Sequence, residues 1–278
     1  MTDFRLQAEL EKLARVLECP PTQLDDLKKL SVEQLRSLRE QISAALFDEH
    51  AEVFRRLAES SKLLPVAITA KLSKAVFGPM FSARISGLLP VDRAVAIARK
   101  LPVDFLADLT LHMDPRSARP LLRQMPMDLI LASAEALAER GEYVTMARFV
   151  DALTLDAVLE VSEQLSDEQL LQIGFYVETP ACLTAIIAAL PAKRVANTVR
   201  LTAQGSPELR AAGLSLMDQV DDEARALLGE AAISLGDDVL QTMVKTASEA
   251  GALGVLQRTL QCVSEDSREQ AQRWLEKL

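Results

Sequence analysis

The chain has 278 residues, 49% of them apolar, which is enough material to bury a sizeable core. Its net charge of −9 and pI of about 5.0 exclude general binding to the phosphate backbone of nucleic acids. No apolar run reaches the ~18 residues that a transmembrane helix needs, so no membrane span is predicted.

Three cysteines, Cys19, Cys182 and Cys262, lie far apart and form no CxxC pair. This usage is typical of reduced thiols rather than of a disulfide framework. The N-terminus is charged and lacks the apolar centre of a signal peptide. We therefore expect a cytoplasmic protein.

The first sixty residues predict an N-terminal helical cap (residues 1–60). Leucines recur at helical spacing in the first seventeen residues, which end before Pro20 and Pro21. Ser31 and Gln34 form a capping box that opens a longer helix, predicted to continue to about Ala58. The alternative interpretation of this longer helix is a coiled-coil dimer arm.

Residues 61–91 differ from the rest because they contain no acidic residue and are strongly apolar. Gly78-Pro79 predicts a division of this window into two helices. Our preferred interpretation is two buried helices that join the cap to the next region, with lysines extended to solvent. The alternatives are a membrane-surface helix pair or the wall of a groove for an acidic or apolar ligand. The basic residues of the window are Lys62, Lys71, Lys74 and Arg84.

A motif recurs about every twelve residues between residues 89 and 204. It consists of an apolar residue, followed in all but one case by Pro, Ser, Thr or Asp, then a polar or acidic residue by the fourth position, and then a run with helical apolar spacing. The motif starts are Leu89, Leu101, Met113, Met125, Leu153, Leu165, Val177 and Leu190.

Each motif predicts a helix start, because proline suits the first helical turn and Ser, Thr or Asp can cap its free amides. About nine residues, or roughly 13 Å of helix, remain in each unit. Helices this short persist only when neighbours bury their apolar faces. We therefore predict an all-α fold, a right-handed α-solenoid or superhelix of helical hairpins of about 24 residues each. The alternative is an irregular helical bundle with evenly spaced loops.

The twelve-residue phase breaks between residues 129 and 150. A longer helix is predicted from Leu129 to Ala138, and Gly141 is placed to terminate it in a left-handed conformation. Insertions in repeat arrays often map to a functional face. The candidate interaction residues are therefore Arg140, Glu142, Tyr143 and Arg148, together with Lys71 and Lys74 of the basic window. The alternative is a structural joint that adjusts curvature.

Residues 205–278 have longer units and predict C-terminal helical repeats ending in a polar cap. We expect residues 1–60, 61–91, 89–204 and 205–278 to form one continuous domain.

Catalytic and metal-binding motifs are absent from the sequence. The two histidines, His50 and His112, belong to no zinc motif, and no phosphate-binding or nucleophile motif occurs. The acidic pairs at 25–26, 221–222 and 237–238 could hold Mg²⁺ or Ca²⁺, but helix capping explains them without a metal. We expect no enzyme activity, no cofactor and no bound metal; a catalytic group assembled from scattered residues is the alternative.

The Leu-Pro-x-acidic rhythm from about Leu88 to Val199 resembles the N-terminal cytosolic domain of MgtE-type magnesium transporters. In that family the domain is an acidic superhelix of short helix pairs, which precedes nucleotide-binding-type regulatory modules and membrane helices. The resemblance implies a superhelical fold and a regulatory role. Because the chain ends at Leu278 without those later parts, we expect a stand-alone relative without transport activity. Magnesium sensing does not carry over, since the family's metal sites lie partly between those domains.

These patterns favour a non-catalytic protein-interaction or regulatory scaffold that binds another protein on the concave face of a solenoid. The alternative is the binding of an apolar or lipid-like small molecule in a groove between residues 61–91 and 129–150.

Overall fold

The computed structural model describes residues 4–48 and 51–275, and all regular elements in these ranges are helical. The predicted all-α class is therefore confirmed. Where one helix was predicted from Ser31 to about Ala58, the structure has a helix on each side of residues 49–50. These two residues, which include His50, lie outside the described ranges. The Ser31 capping box is confirmed: the Gln34 amide donates to Ser31 Oγ at 3.2 Å, and the Ser31 amide donates to Gln34 Oε1 at 2.9 Å.

A 3₁₀ helix covers Pro21–Lys29 and a π-helical segment covers Ser73–Phe77. The α-helices in chain order are α1 (Phe4–Val16), α2 (Val32–Asp48), α3 (Ala51–Ser61), α4 (Val66–Leu72), α5 (Gly78–Ser86), α6 (Val91–Ala98), α7 (Val103–Leu111), α8 (Pro115–Leu122), α9 (Met127–Glu139), α10 (Tyr143–Val150), α11 (Leu155–Gln164), α12 (Asp167–Tyr176), α13 (Pro180–Ala189), α14 (Ala192–Gln204), α15 (Pro207–Gln219), α16 (Asp222–Ser234), α17 (Asp237–Glu249), α18 (Leu253–Cys262) and α19 (Glu265–Leu275).

All eight twelve-residue motifs are followed by a helix that begins two or three residues after the motif start. These helices are α6, α7, α8, α9, α11, α12, α13 and α14. The eight predicted helix starts are confirmed, because the capping residues that mark them act locally.

Proline takes a position one residue earlier than predicted in four of these helices. Pro90, Pro102, Pro126 and Pro191 are the N-cap residues, with φ between −53° and −63° and ψ between 136° and 149°. Their carbonyl groups accept the first helical hydrogen bond, from the amide four residues on, at 3.0–3.2 Å. Proline is suited to this position because its fixed φ matches the extended conformation of an N-cap residue. These caps act through the carbonyl group of proline, so no polar side chain is needed.

The chain divides into two compact units, and the division falls within the predicted 89–204 array. The first unit contains residues 12–165. The second unit contains residues 166–275 and the described residues 4–11.

In the unit of residues 12–165, helices pack mainly against the helix two positions along the chain. Helices α3, α5, α7, α9 and α11 pack in one succession, and α4, α6 and α8 pack in another. Helices α5, α6, α7 and α9 therefore have a packed neighbour on two sides. The shared buried core consists of Ala70, Ala83, Ala94, Ile97, Ala98, Leu101, Phe105, Leu106, Leu109, Met113, Ala118, Leu121, Phe149 and Ala152.

In the other unit, α12, α14, α16 and α18 pack in succession, with further contacts between helices three positions apart, such as α12 with α15. Helices α14 and α15 approach closely at Gly213. A Cβ atom at that position would lie 1.9 Å from Thr202 Oγ1, so only glycine fits. Thr202 is itself buried and donates to the Thr198 carbonyl at 2.9 Å.

The predicted division at Gly78-Pro79 is confirmed by the conformation of Gly78. Gly78 has φ 72° and ψ 177°, a region that is essentially restricted to glycine, and it separates the π-helical segment from α5. No atom lies within 4 Å of a Cβ built there. The backbone conformation, rather than lack of space, therefore requires glycine at this position.

The Gly78→Ala variant should lower the free energy of unfolding by about 1–3 kcal/mol, because alanine is strained in this backbone region. The matched control is Gly254→Ala in α18, where φ is ordinary and the new Cβ would contact only Arg258 Nη1 at 3.8 Å. The control should lose no stability, since alanine favours a helix over glycine. Urea denaturation of both variants measures the difference, and equal stabilities would contradict the assignment.

Candidate interaction surface

Exposed large apolar side chains are concentrated between residues 53 and 88. Thirteen such side chains are exposed in the described part of the chain, and eight of them lie in this range, while the other five are scattered. Leu63 is 87% exposed and Val76 is 68% exposed. The eight residues are Val53, Leu63, Leu64, Ile68, Val76, Met80, Phe81 and Leu88. We refer to the seven from Leu63 to Leu88, with the exposed lysines among them, as the α4–α5 surface.

The α4–α5 surface exists because both helices bury only one face. In α4, Thr69 and Ala70 are buried, while Ile68 and Lys71, three residues apart, lie on the opposite face and are exposed. In α5, Ser82, Ala83 and Ile85 are buried, while Met80 and Phe81 are exposed, as is Leu88 in the turn after the helix. The sequence predicted two buried helices, and the structure shows half-buried ones.

Aromatic contacts fix α5 against α3. The rings of Phe54 and Phe81 have centroids 5.6 Å apart, and the Arg84 guanidinium lies 5.5 Å from the Phe54 centroid. Buried Phe54, Ala58 and Ile85 form a small core beneath them. Part of the exposed surface is therefore anchored by a tilted contact between two aromatic rings and by a cation–π contact.

Arg93 of α6 fixes the chain that leads into α4. Its Nη2 donates to the carbonyls of Ser61 and Leu64 and to Thr69 Oγ1 at 3.3 Å. These acceptors are neutral, so the contacts order the start of the surface without cancelling the charge of Arg93.

The α4–α5 surface is electropositive. Residues 61–91 contain no aspartate or glutamate, and Lys62 pairs with Glu59 from outside this window at 2.6 Å. Lys71 and Lys74 are exposed and have no ion-pair partner among the described residues. Two uncompensated ammonium groups therefore lie among exposed apolar side chains.

The candidate residues at the 129–150 break make contacts within the protein. Gly141 has φ 70° and follows α9, as predicted. Arg140 donates to Asp108 Oδ1 at 2.6 Å and to Asp104 Oδ1 at 2.9 Å, both on α7. The hydrogen bond to Asp108, followed by that to Asp104, raises the pKa of Arg140. Glu142 pairs with Arg15 of α1.

Tyr143 and Arg148 are partly buried at the start and the end of α10. Of the six predicted interaction residues, Lys71 and Lys74 thus lie on the α4–α5 surface, and the other four lie at the α9–α10 joint. A groove between residues 61–91 and 129–150 would have to open along α7, which packs against both α5 and α9.

The acidic pairs are explained by local contacts. Asp221 caps α16 by accepting from the Ala224 amide at 3.0 Å, and Asp25 pairs with Lys28 at 2.7 Å. Asp237 and Asp238 lie in the first turn of α17, where acidic side chains favour the helix dipole. In the described ranges, no group of three or more His, Cys, Asp or Glu residues could hold a metal.

Tyr176 is a titratable side chain with a strongly shifted pKa. Burial, followed by its hydrogen bond to the Glu11 carboxylate, raises the pKa of Tyr176. The pair joins α12 to residues 4–11 within one unit. It keeps the phenol protonated and therefore acts as a structural hydrogen bond.

A cavity of about 370 Å³ lies between α18 and α19. The charged residue of its lining, Arg268, is already engaged: it donates to the carbonyls of Leu260, Gln261 and Val263. These contacts close the C-terminus of α18 and do not present the guanidinium to a ligand.

Comparison of the chain with protein-family models, curated proteins and solved structures finds no match. Within residues 4–48 and 51–275, no helix has the length and apolar character required to cross a bilayer.

The Leu63→Ser and Val76→Ser variants should each change the free energy of unfolding by less than about 0.5 kcal/mol, because exposed side chains contribute little to the folded core. The contrasting variant is Leu106→Ala in α7, a buried position that should cost about 2–5 kcal/mol. Urea denaturation measures all three. A large loss at Leu63 or Val76 would show that these side chains serve the fold rather than a surface.

Proposed function

We propose that the protein is a non-catalytic protein-interaction scaffold in which a frame of short packed helices presents the α4–α5 surface to a partner. One observation carries the proposal: seven of the thirteen exposed large apolar residues lie between Leu63 and Leu88, on α4, the π-helical segment, α5 and the turns at their ends. Monomeric proteins rarely expose large contiguous apolar patches, and such patches mark interaction sites. Burying one such side chain contributes about 1.5–3 kcal/mol, so a few of them can hold a partner.

We further propose that the frame is a right-handed α-solenoid of helical hairpins, with an N-terminal and a C-terminal cap. The succession of contacts between helices two positions apart supports this architecture, because in a solenoid each repeat contacts mainly its neighbours. The proposal agrees with the resemblance to the superhelical domain of MgtE-type transporters. It makes the protein a regulatory relative of that domain that acts in the cytoplasm, with a concave face as a second place for contacts.

Affinity capture with a matched pair of variants tests the scaffold function. The bait is the full chain, and the surface variant is Leu63→Ser/Val76→Ser. The control is Leu155→Ser/Leu227→Ser, which removes two exposed apolar side chains elsewhere. Each bait is exposed to a lysate of the expressing cells. The amount of each captured protein should be at least about tenfold lower with the surface variant than with the wild type, because two apolar anchors are lost. The control should capture them as the wild type does.

Equal capture by the surface variant and the control would count against the proposed function.

An apolar or lipid-like small molecule is the second candidate, because the same exposed side chains could cover an apolar ligand. Native mass spectrometry of the freshly purified chain distinguishes the two. A bound apolar molecule that is lost from the surface variant, together with no dependent protein capture, would favour the small-molecule function.

A further inference from the structure

The charge of the chain is divided unevenly. Residues 61–91 carry +4 whereas the whole chain carries −9, so the remaining residues together carry −13. The basic side chains therefore meet the exposed apolar ones on a surface of opposite sign to the rest of the molecule. A partner that fits this surface must offer both apolar area and negative charge.

The spacing of the exposed side chains suits a helix as the partner. Ile68 and Lys71 are one turn apart on α4, and Lys74 and Val76 follow on the π-helical segment. Apolar and cationic groups thus follow one another along the same exposed stretch. A second helix packs on such a face through rows of side chains three and four residues apart.

Two other occupants fit the charges less well. A second copy placed by two-fold symmetry would bring the same electropositive patch against itself, and like charges repel. An anionic lipid surface is broad, so it would also meet the exposed acidic side chains that flank the window, such as Glu59 and Asp92. A single acidic peptide segment contacts only the window and avoids both penalties.

We infer that the α4–α5 surface binds an amphipathic helical segment of another protein. This inference rests on the proposed scaffold function. The partner helix carries Leu, Ile, Met or Phe on one face and Asp or Glu beside them. The apolar side chains pack against Leu63, Ile68 and Val76, and the carboxylates pair with Lys71 and Lys74. The affinity decreases with salt, since the pairs lie at an exposed rim.

Selection from a phage-displayed random peptide library tests the partner chemistry. The baits are the full wild-type chain, the reversed variant Lys71→Glu/Lys74→Glu, and the control Lys193→Glu/Lys245→Glu, which makes the same charge change at two other exposed lysines. The wild type and the control should both select peptides with acidic residues one helical turn from apolar ones. A synthetic copy of a selected peptide should bind the reversed variant about tenfold more weakly than the wild type, because attraction becomes repulsion at two positions.

Several outcomes would overturn the inference. One is that the wild type enriches no peptides. Another is that the selected peptides show no preference for acidic residues. The third is that a selected peptide binds the reversed variant as tightly as the wild type. Sedimentation of the wild type with phosphatidylglycerol vesicles, lost in the reversed variant, would assign the surface to a membrane instead. A dimer in sedimentation velocity that dissociates on reversal would assign it to a second copy. If capture depends on Leu63 and Val76 while the selected peptides are neutral, the scaffold function stands and only the acidic partner is wrong.

Discussion

The fold depends on burial between helices that are too short to be stable alone. Helices α4 to α8 have between seven and nine residues each, and isolated helices of that length have little stability in water. Side chains such as Phe105 and Leu106 are buried against neighbouring helices, and each such burial contributes about 1.5–3 kcal/mol. The packing of α7 against both α5 and α9 is therefore a condition for α7 to be a helix at all.

The same constraint explains how an apolar surface can be ordered. Helices α4 and α5 bury Ala70, Ala83 and Ile85, and this inward face is sufficient to hold them. Of the outward residues, Phe81 contacts Phe54, whereas side chains such as Ile68 and Val76 stay exposed. Arg93 and the Phe54–Phe81 pair fix the two ends of the surface, so that contacts within the unit already order it.

The local part of the structure could be predicted from the sequence, and the long-range part could not. The twelve-residue motifs marked eight helix starts, and Gly78 and Gly141 marked two breaks, because caps and positive φ values are set by neighbouring residues. The ion pairs of Arg140 with Asp104 and Asp108 span 36 and 32 residues and depend on which helices meet. The exposure of Leu63 and Val76 was missed for the same reason, although the lack of acidic residues in 61–91 was a visible signal.

Amide hydrogen exchange of a Phe105→Ala variant tests the central claim most directly. Phe105 is buried in α7, and its truncation should cost about 3–5 kcal/mol of local packing. If short helices are held by the helices two positions away, exchange should accelerate in α7 and also in α5 and α9, while α14 and α16 keep their wild-type rates. Acceleration confined to α7, or spread evenly over all the helices, would contradict this account.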